Sequence, residues 1–310
     1  MILPKMDYAP ITRATSGECP AVSLVLDVLP RKNRVLLDSG RHLLSVLFAL
    51  FDSRLEMVLK AGSLATIAAC LVSVWGHGYI REVTLGSVVW PGYNPYFDSW
   101  WQPPPERLIR KIPGIAPIED LTLIDLQCNG DTANDYFTEP APLVGTVAAG
   151  DNVHLSWLNH AGDNHKGPLL TYMARAPSDI DIRQWIPGRE AVWFKVHHEG
   201  KYGDGKWAAP EMFEKRNGTY TFRIPPNLLP GQYLIRHEWI ALHFADKYPG
   251  FQSYPVCVQV EVTGNGTAFP TSFVSFPGEY TPETPGVIYD VWNDNGPYPI
   301  PGPEVWTGGY

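Results

Sequence analysis

The chain has 310 residues, of which 45% are hydrophobic and 18% are charged, and its formal net charge at pH 7 is −8. This length is enough for one domain with a full core. An acidic surface repels polyphosphate, so the charge argues against nucleic acid as a partner.

Residues 1–56 mix prolines, charges and the apolar run "LLSVLFALF" without the pattern of a domain. Residues 57–76 have the plan of a secretory signal, because Lys60 supplies a positive charge, an apolar core follows, and small residues come just before the cut. We therefore expect translation to start at Met57 and residues 1–56 to be an over-extended gene model outside the fold. Cleavage then leaves His77 as the first residue of a secreted, extracellular protein.

Two alternatives exist for residues 57–76, a membrane anchor and a buried helix. The apolar stretch is shorter than the roughly 20 residues that span a bilayer, which argues against an anchor and against a membrane protein. A buried helix remains open, although it does not explain the small residues at the end of the stretch. With the signal removed, residues 77–310 form one domain.

Only two of the four cysteines, Cys128 and Cys257, lie in residues 77–310. An even pair in a secreted chain most simply forms one disulfide, and two buried free thiols are the alternative. Sequons at Asn217 and Asn265 are compatible with secretion and are candidate N-glycosylation sites.

Short alternating strands dominate the pattern of residues 77–310. Apolar residues alternate in "DNVHLSW", "GTYTFRI" and "CVQVEV", and Pro/Gly-rich turns such as "PPNLLPG" separate such runs. The pattern predicts an all-β protein, an immunoglobulin-like antiparallel β-sandwich with long surface loops at 91–120 and 264–310. Long loops on a rigid sandwich usually carry function.

A histidine at the start of a mature chain can bind a metal through two nitrogens, its free amine and its imidazole Nδ1. One further histidine would complete a T-shaped set of three nitrogens around His77, a geometry that suits copper. His165, in the polar loop "GDNHKGP", is the candidate for this role, although a loop histidine taken singly is more often a solvated residue.

A third stretch, residues 233–257, concentrates polar side chains between strand-like runs. They are Arg236, His237, Glu238, His243, Gln252 and Tyr254. Buried polar groups need hydrogen-bond partners, so the stretch predicts a network. From the residues alone, a functional network and a purely structural one are equally good interpretations.

The combination of motifs resembles one known family. His77-Gly78 after a signal, then "NHKGP", "RHEWIALH" and "FQSYPVC", are similar in order and spacing to the fungal lytic polysaccharide monooxygenases of auxiliary activity family nine. The similarity runs from His77 to about Trp306 and includes "AAGDNVHLSW", "PGQYLIRHE" and "YPIPGPEVW". It implies that residues 77–310 are the catalytic domain of a copper enzyme.

The resemblance also assigns roles to individual residues. It implies that one copper ion is held by His77 and His165, with Tyr254 as a weak or distant oxygen ligand. His243 and Gln252 match the pair that hydrogen-bonds oxygen species at the copper, while Arg236 and His237 are interpreted as supporting residues. Cys128 and Cys257 match the family's disulfide.

The implied reaction is oxidative cleavage of β-1,4-glucan, such as cellulose, at C1, C4 or both. It uses O2 or H2O2 and electrons from an external reductant or redox partner protein, and we expect a monomer. Tyr298 matches a tyrosine that lies on the flat substrate-binding face. For the further loop aromatics Tyr93, Tyr96, Trp100 and Trp101, core packing and substrate contact both remain open.

Two other functions compete with this interpretation. A glycoside hydrolase needs two carboxylates on either side of the scissile bond, and Glu238 is the only acid inside the motif cluster. A non-catalytic polysaccharide-binding protein could use the same sandwich and aromatics, but it would not need an exposed histidine amine.

Overall fold

The computed structural model describes residues 78–158 and 165–310, all of which lie in one compact unit, Trp75–Tyr310. The predicted gene-model extension, the predicted signal and His77 lie outside the described residues, so their assignments stay predictions. In the part of the chain that is described, no helix is long and apolar enough to cross a membrane.

The described residues form nine strands in two sheets, with one α-helix. In chain order these elements are β1 (Tyr79–Leu85), β2 (Val88–Pro91), β3 (Gly145–Ala148), β4 (Asn152–Leu158), β5 (Leu169–Arg175), β6 (Phe194–Glu199), α1 (Ala208–Lys215), β7 (Thr219–Arg223), β8 (Gly231–Ala241) and β9 (Gln252–Thr263). Short 3-10 helices span Asp98–Trp100, Ile124–Leu126 and Thr132–Asn134. The first sheet has the order β2-β1-β4-β7, and the second has the order β3-β9-β8-β5-β6.

The predicted all-β sandwich is confirmed. The three quoted runs form β4, β7 and the second half of β9. Two details differ from the expectation. β3 pairs with β9 in parallel, whereas the other strand pairs are antiparallel. The helix α1 was also not predicted, because eight residues are too few to show a sustained helical period.

The two sheets pack face to face around one hydrophobic core. Inward side chains of β4 in the first sheet meet those of β8 and β9 in the second sheet; they are Val153, Leu155, Trp157, Tyr233, Ile235, Trp239, Tyr254, Val256 and Val258. Burial alternates along β4, because only its inner face is covered. This alternation is what made the strand recognisable in the sequence.

The second sheet is buried on both faces. The two long loops, residues 92–144 and 264–310, cover its outer side and form a second hydrophobic cluster with it, which includes Leu126, Leu170, Leu234, Phe276 and Tyr280. As a result, β8 is buried continuously from Tyr233 to Ala241. The predicted long loops are therefore packed parts of the domain.

One disulfide joins the first long loop to this sheet. Cys128 is bonded to Cys257 of β9; their Cα atoms are 5.1 Å apart, and the residues are 129 positions apart in the sequence. The described part of the chain holds no free cysteine, which rules out the alternative of two thiols. The bond holds the first long loop against the outer face of the second sheet.

Candidate metal centre

Two of the residues predicted for the site, His165 and Tyr254, meet around the buried ring of Trp239. The rings of Trp239 and Tyr254 stack with centroids 4.9 Å apart and an interplanar angle of 21°. They face each other because these two residues are directly paired between β8 and β9. His165 lies 5.7 Å from the same indole, between ring centroids, and is 5% exposed. The fold thus brings together side chains that lie far apart in sequence.

His165 reaches this position because it comes just before β5. Leu169, at the start of β5, pairs with Trp239, so the residues preceding β5 lie at the same end of the second sheet. The neighbouring Gly167 approaches the backbone so closely that a Cβ atom there would lie 1.8 Å from the Ile240 carbonyl oxygen. A glycine is therefore required where the loop carrying His165 crosses β8.

His243 and Gln252 lie beside this cluster, as the family resemblance implies. The rings of His243 and His165 are 4.3 Å apart between centroids. Gln252 is 8% exposed, and its Oε1 accepts a hydrogen bond of 3.2 Å from the Tyr254 hydroxyl. β8 ends at Ala241 opposite Gln252, so the connection that follows carries His243 back over the strand end.

The phenol of Tyr254 keeps its proton at every physiological pH. Burial raises the pKa of Tyr254 well above its usual value, and the nearby charge of Glu119 raises the pKa further. The hydroxyl is therefore a neutral oxygen donor whose proton points to Gln252.

Glu119 is one site residue that sequence reasoning missed. Its Oε1 accepts a hydrogen bond of 2.8 Å from Gln252 Nε2. The residue lies in the long loop 92–144, next to an isolated bridge between Ile118 and Ser253. No motif marks this position, because the contact depends on how the loop folds back over β9.

The start of β1 is linked to Trp239 through a tryptophan of β4. Ile80 of β1 pairs with Trp157 of β4, whose ring is 6.1 Å from that of Trp239. His77 itself lies outside the described residues, and the described ones contain no group of three or more His, Cys, Asp or Glu able to hold a metal ion. His165 and Tyr254 supply one imidazole nitrogen and one phenol oxygen. This donor set fits copper when the two nitrogens of His77 are added.

Arg236 and Glu238 belong to a separate, structural network on the outer side of β8. Both are 0% exposed, and the guanidinium donates to both oxygens of Glu238, at 2.5 and 2.9 Å. Arg236 also donates to the carbonyls of Leu126 and Gln127, while Glu238 accepts from Ser253 and Tyr280. For these two residues the structure favours the interpretation of a structural network.

His237 points to the opposite side of β8, into the core between the sheets. Its Nδ1 lies 3.0 Å from the Thr171 hydroxyl, and its ring stacks on Tyr220 at 4.3 Å. Burial lowers the pKa of His237 to about 3, so the imidazole is neutral. On the side of the candidate site, its ring lies 5.8 Å from that of Trp157, which in turn lies 6.1 Å from Trp239.

The expectation of an exposed Tyr298 is wrong. Its side chain is 8% exposed, and its ring packs edge-on against Trp207 and Tyr289 at 5.0 and 4.9 Å. The hydroxyl donates a 2.8 Å hydrogen bond to the Gly286 carbonyl. Tyr298 is part of the second hydrophobic cluster, because the loop 264–310 folds inward at this point.

Other aromatic side chains are exposed beside the site. Trp292 is 53% exposed, and its Nε1 donates a 3.1 Å hydrogen bond to the carbonyl of His243. Lys166 Nζ lies 4.9 Å from the centroid of the same ring. Phe244 is 59% exposed and lies 4.3 Å from the His243 ring. Sequence reasoning missed both aromatics. Phe244 directly follows the motif "RHEWIALH", and Trp292 lies shortly before "YPIPGPEVW".

Of the four further loop aromatics, only Tyr93 is packed against the core, and substrate contact by the other three stays a prediction. Tyr96, Trp100 and Trp101 are exposed, whereas Tyr93 packs against the hydrophobic core. The ring of Tyr96 lies 6.3 Å from Tyr79, at the start of β1. The sequon asparagines Asn217 and Asn265 are both exposed.

Comparison with known proteins identifies close relatives. The model of Auxiliary Activity family 9 (formerly GH61) matches residues 77–298. The "AA9 family lytic polysaccharide monooxygenase A" of Gloeophyllum trabeum is 48% identical over 254 residues, which cover 81% of this chain and 78% of that protein.

Solved structures give the same result. The extended catalytic domain of H. jecorina LPMO9A superposes with a TM-score of 0.68 at 28% identity, covering 75% of this chain and 92% of that one. A structure titled a cellulose-active polysaccharide monooxygenase from M. thermophila superposes with a TM-score of 0.63 at 29% identity, covering 75% of this chain and all of that one.

Proposed function

Because the chain belongs to Auxiliary Activity family 9, the lytic polysaccharide monooxygenases, we propose that it is a copper-dependent enzyme that cleaves β-1,4-glucan oxidatively at C1, C4 or both. The observation that carries the proposal is the convergence of His165, His243 and Tyr254 at one end of the sandwich. A polysaccharide monooxygenase needs such a cluster at a surface that a polymer can reach.

Copper, when bound, would supply the one-electron chemistry that activates O2 or H2O2. His165 and both nitrogens of His77 would hold the ion, with the Tyr254 oxygen nearby. His243 and Gln252 would orient the oxygen co-substrate by hydrogen bonding, and the imidazole of His243 can give or take a proton. The electrons would come from an external reductant or a redox partner protein.

Cellulose is the substrate that the exposed aromatics support best. Aromatic rings stack on sugar rings, and Trp292 and Phe244 are exposed within contact distance of His243. The indole of Trp292 is held by its hydrogen bond to the His243 carbonyl, which ties the orientation of this ring to the site. The M. thermophila structure is also titled cellulose-active.

The two competing functions find less support. Glu238, the acid that a glycoside hydrolase would need, is fully buried and paired with Arg236, so a glucan cannot reach it. A pure binding protein would have no use for two histidines and a glutamine clustered beside a buried tyrosine. We propose a secreted, extracellular monomer whose N-terminus is His77.

The test is product analysis of protein secreted from a start at Met57. N-terminal sequencing should find His77, and one copper ion should bind per chain. With copper, ascorbate and cellulose, mass spectrometry should find aldonic acids, C4 gem-diols or both. His165→Ala should lose tight copper binding, because imidazole nitrogen is a principal ligand.

Gln252→Leu provides the matched comparison, since it should keep the copper but lower oxidative turnover. A wild-type protein that releases only unoxidised sugars without reductant would refute the proposal. Any first residue other than His77 in active material would also refute the metal site as described.

A further inference from the structure

A chain of two hydrogen bonds links the surface of the molecule to the buried hydroxyl of Tyr254. Gln252 Nε2 donates to Glu119 Oε1 at 2.8 Å, and the Tyr254 hydroxyl donates to Gln252 Oε1 at 3.2 Å. Glu119 is exposed, while Gln252 and Tyr254 are buried, at 8% and 1% exposure. These two hydrogen bonds therefore connect a solvated carboxylate to the candidate metal centre.

The Glu119 carboxylate decides the direction of both hydrogen bonds. An ionised carboxylate can only accept hydrogen bonds, so the atom of the Gln252 amide that faces it must be the nitrogen. The amide oxygen then faces the other way, towards Tyr254, and this oxygen can only accept. The phenol must consequently donate its proton to Gln252, which leaves the lone pairs of its oxygen for another partner.

We propose that Glu119 is a positioning residue that fixes the orientation of the Gln252 amide and, through it, the direction in which the Tyr254 hydroxyl presents its proton and its lone pairs. This inference rests on the proposed function, in which the Tyr254 oxygen lies beside copper and Gln252 hydrogen-bonds the oxygen co-substrate. Without Glu119, the amide could turn over and donate to the phenol oxygen instead.

The proposed positioning role of Glu119 can be separated by experiment from a role in holding the fold. The backbone at this point is held by two hydrogen bonds between Ile118 and Ser253, with N to O distances of 2.8 and 3.0 Å. These bonds do not involve the Glu119 side chain. Substitutions of the exposed side chain should therefore leave the fold in place.

The sharpest test replaces the hydrogen-bond acceptor at residue 119 with a donor. In Glu119→Lys the ammonium can only donate, so it selects the opposite orientation of the Gln252 amide. In Glu119→Gln both orientations become available, and the effect should be intermediate. Asp120→Lys is the charge-matched control, because among the described residues its exposed carboxylate accepts hydrogen bonds from Thr122, from the backbone nitrogen and from the hydroxyl.

The first measurement needs no copper. The side-chain amide signals of Gln252 are assigned by NMR in the metal-free secreted protein, with Gln252→Leu identifying them by their loss. Glu119→Lys should shift these signals strongly, because the amide loses a charged acceptor, and Asp120→Lys should leave them in place. Unchanged Gln252 signals in Glu119→Lys would overturn the proposal.

The second measurement uses the copper-loaded protein. Glu119→Lys should change the paramagnetic resonance spectrum and lower oxidative turnover about tenfold, whereas Asp120→Lys should keep both close to wild type. An equal loss in both variants would overturn the proposal, since it would show an effect of net charge. A wild type without oxidative activity would refute the proposed function alone, and the amide signals would still decide the role of Glu119.

Discussion

Replacing Glu238 with glutamine separates the structural network from the candidate site. The carboxylate and its partner, the guanidinium of Arg236, are both 0% exposed and are joined by two hydrogen bonds. The substitution removes the negative charge but keeps the shape of the side chain. The guanidinium would then be a buried cation without a counter-charge.

The loss of stability expected for Glu238→Gln follows from this geometry. Removing one partner of a buried ion pair typically destabilises a protein by about 3 to 5 kcal/mol, because the other charge stays desolvated. Ser253 and Tyr280 also donate to Glu238, so their hydrogen bonds weaken as well. In a domain of this size each kcal/mol lowers Tm by about 2 to 4 °C, so we expect a decrease of roughly 10 °C.

The assay is urea and thermal unfolding of metal-free protein with the disulfide intact, followed by oxidative turnover well below the lowered Tm. Glu283→Gln is the control, because this side chain is exposed and should change stability by less than about 0.5 kcal/mol. Turnover of Glu238→Gln should remain close to wild type. A stable but inactive variant would refute the reasoning and would revive Glu238 as a functional acid.

Three further predictions concern the disulfide, acid stability and the aromatic surface. Cys128→Ser should lower the free energy of unfolding by up to about 5 kcal/mol, because the bond closes a loop of 129 residues; urea unfolding that shows less than 1 kcal/mol would contradict this. Burial lowers the pKa of His237 to about 3 and that of His198 to about 4. Since the unfolded chain binds these protons below about pH 6.5, stability should be full above that pH and should fall as the pH drops towards 4. Unfolding series at several pH values should show a shallower slope in His237→Gln, and an unchanged slope would exclude His237 as a contributor. Trp292→Ala should weaken cellulose binding about tenfold without changing copper affinity, whereas the exposed Ile186→Ala should have no effect; equal binding by both variants in a pull-down would remove Trp292 from the surface that holds substrate.

Strand patterns in the sequence determined the fold class, and the resemblance to a known family supplied most of the candidate site. The alternation in β4 and β7 was visible because each strand has one buried and one solvated face, so its period of two survives in the residue types. The motif residues His165, His243, Gln252 and Tyr254 were recognised together, and the structure brings all four to one end of the sandwich. Their roles remain predictions.

Only the tertiary structure decided which side of each element and loop a side chain occupies. Arg236 and His237 are neighbours in the sequence, yet they point to opposite faces of β8, and both faces are buried. Burial on both faces removes the alternation that would have told them apart. Their polar character suggested one network, whereas the fold places them in two.

In the long loops, the sequence predicts the position of a side chain even less well than in the strands. Glu119 meets Gln252, 133 positions away, and Tyr298 turns inward while Trp292 stays exposed. No local period governs these segments, because they are shaped by the disulfide and by packing against the outer face of the second sheet. Such long-range contacts depend on the completed fold, whereas strand alternation depends only on which face of a single strand meets water.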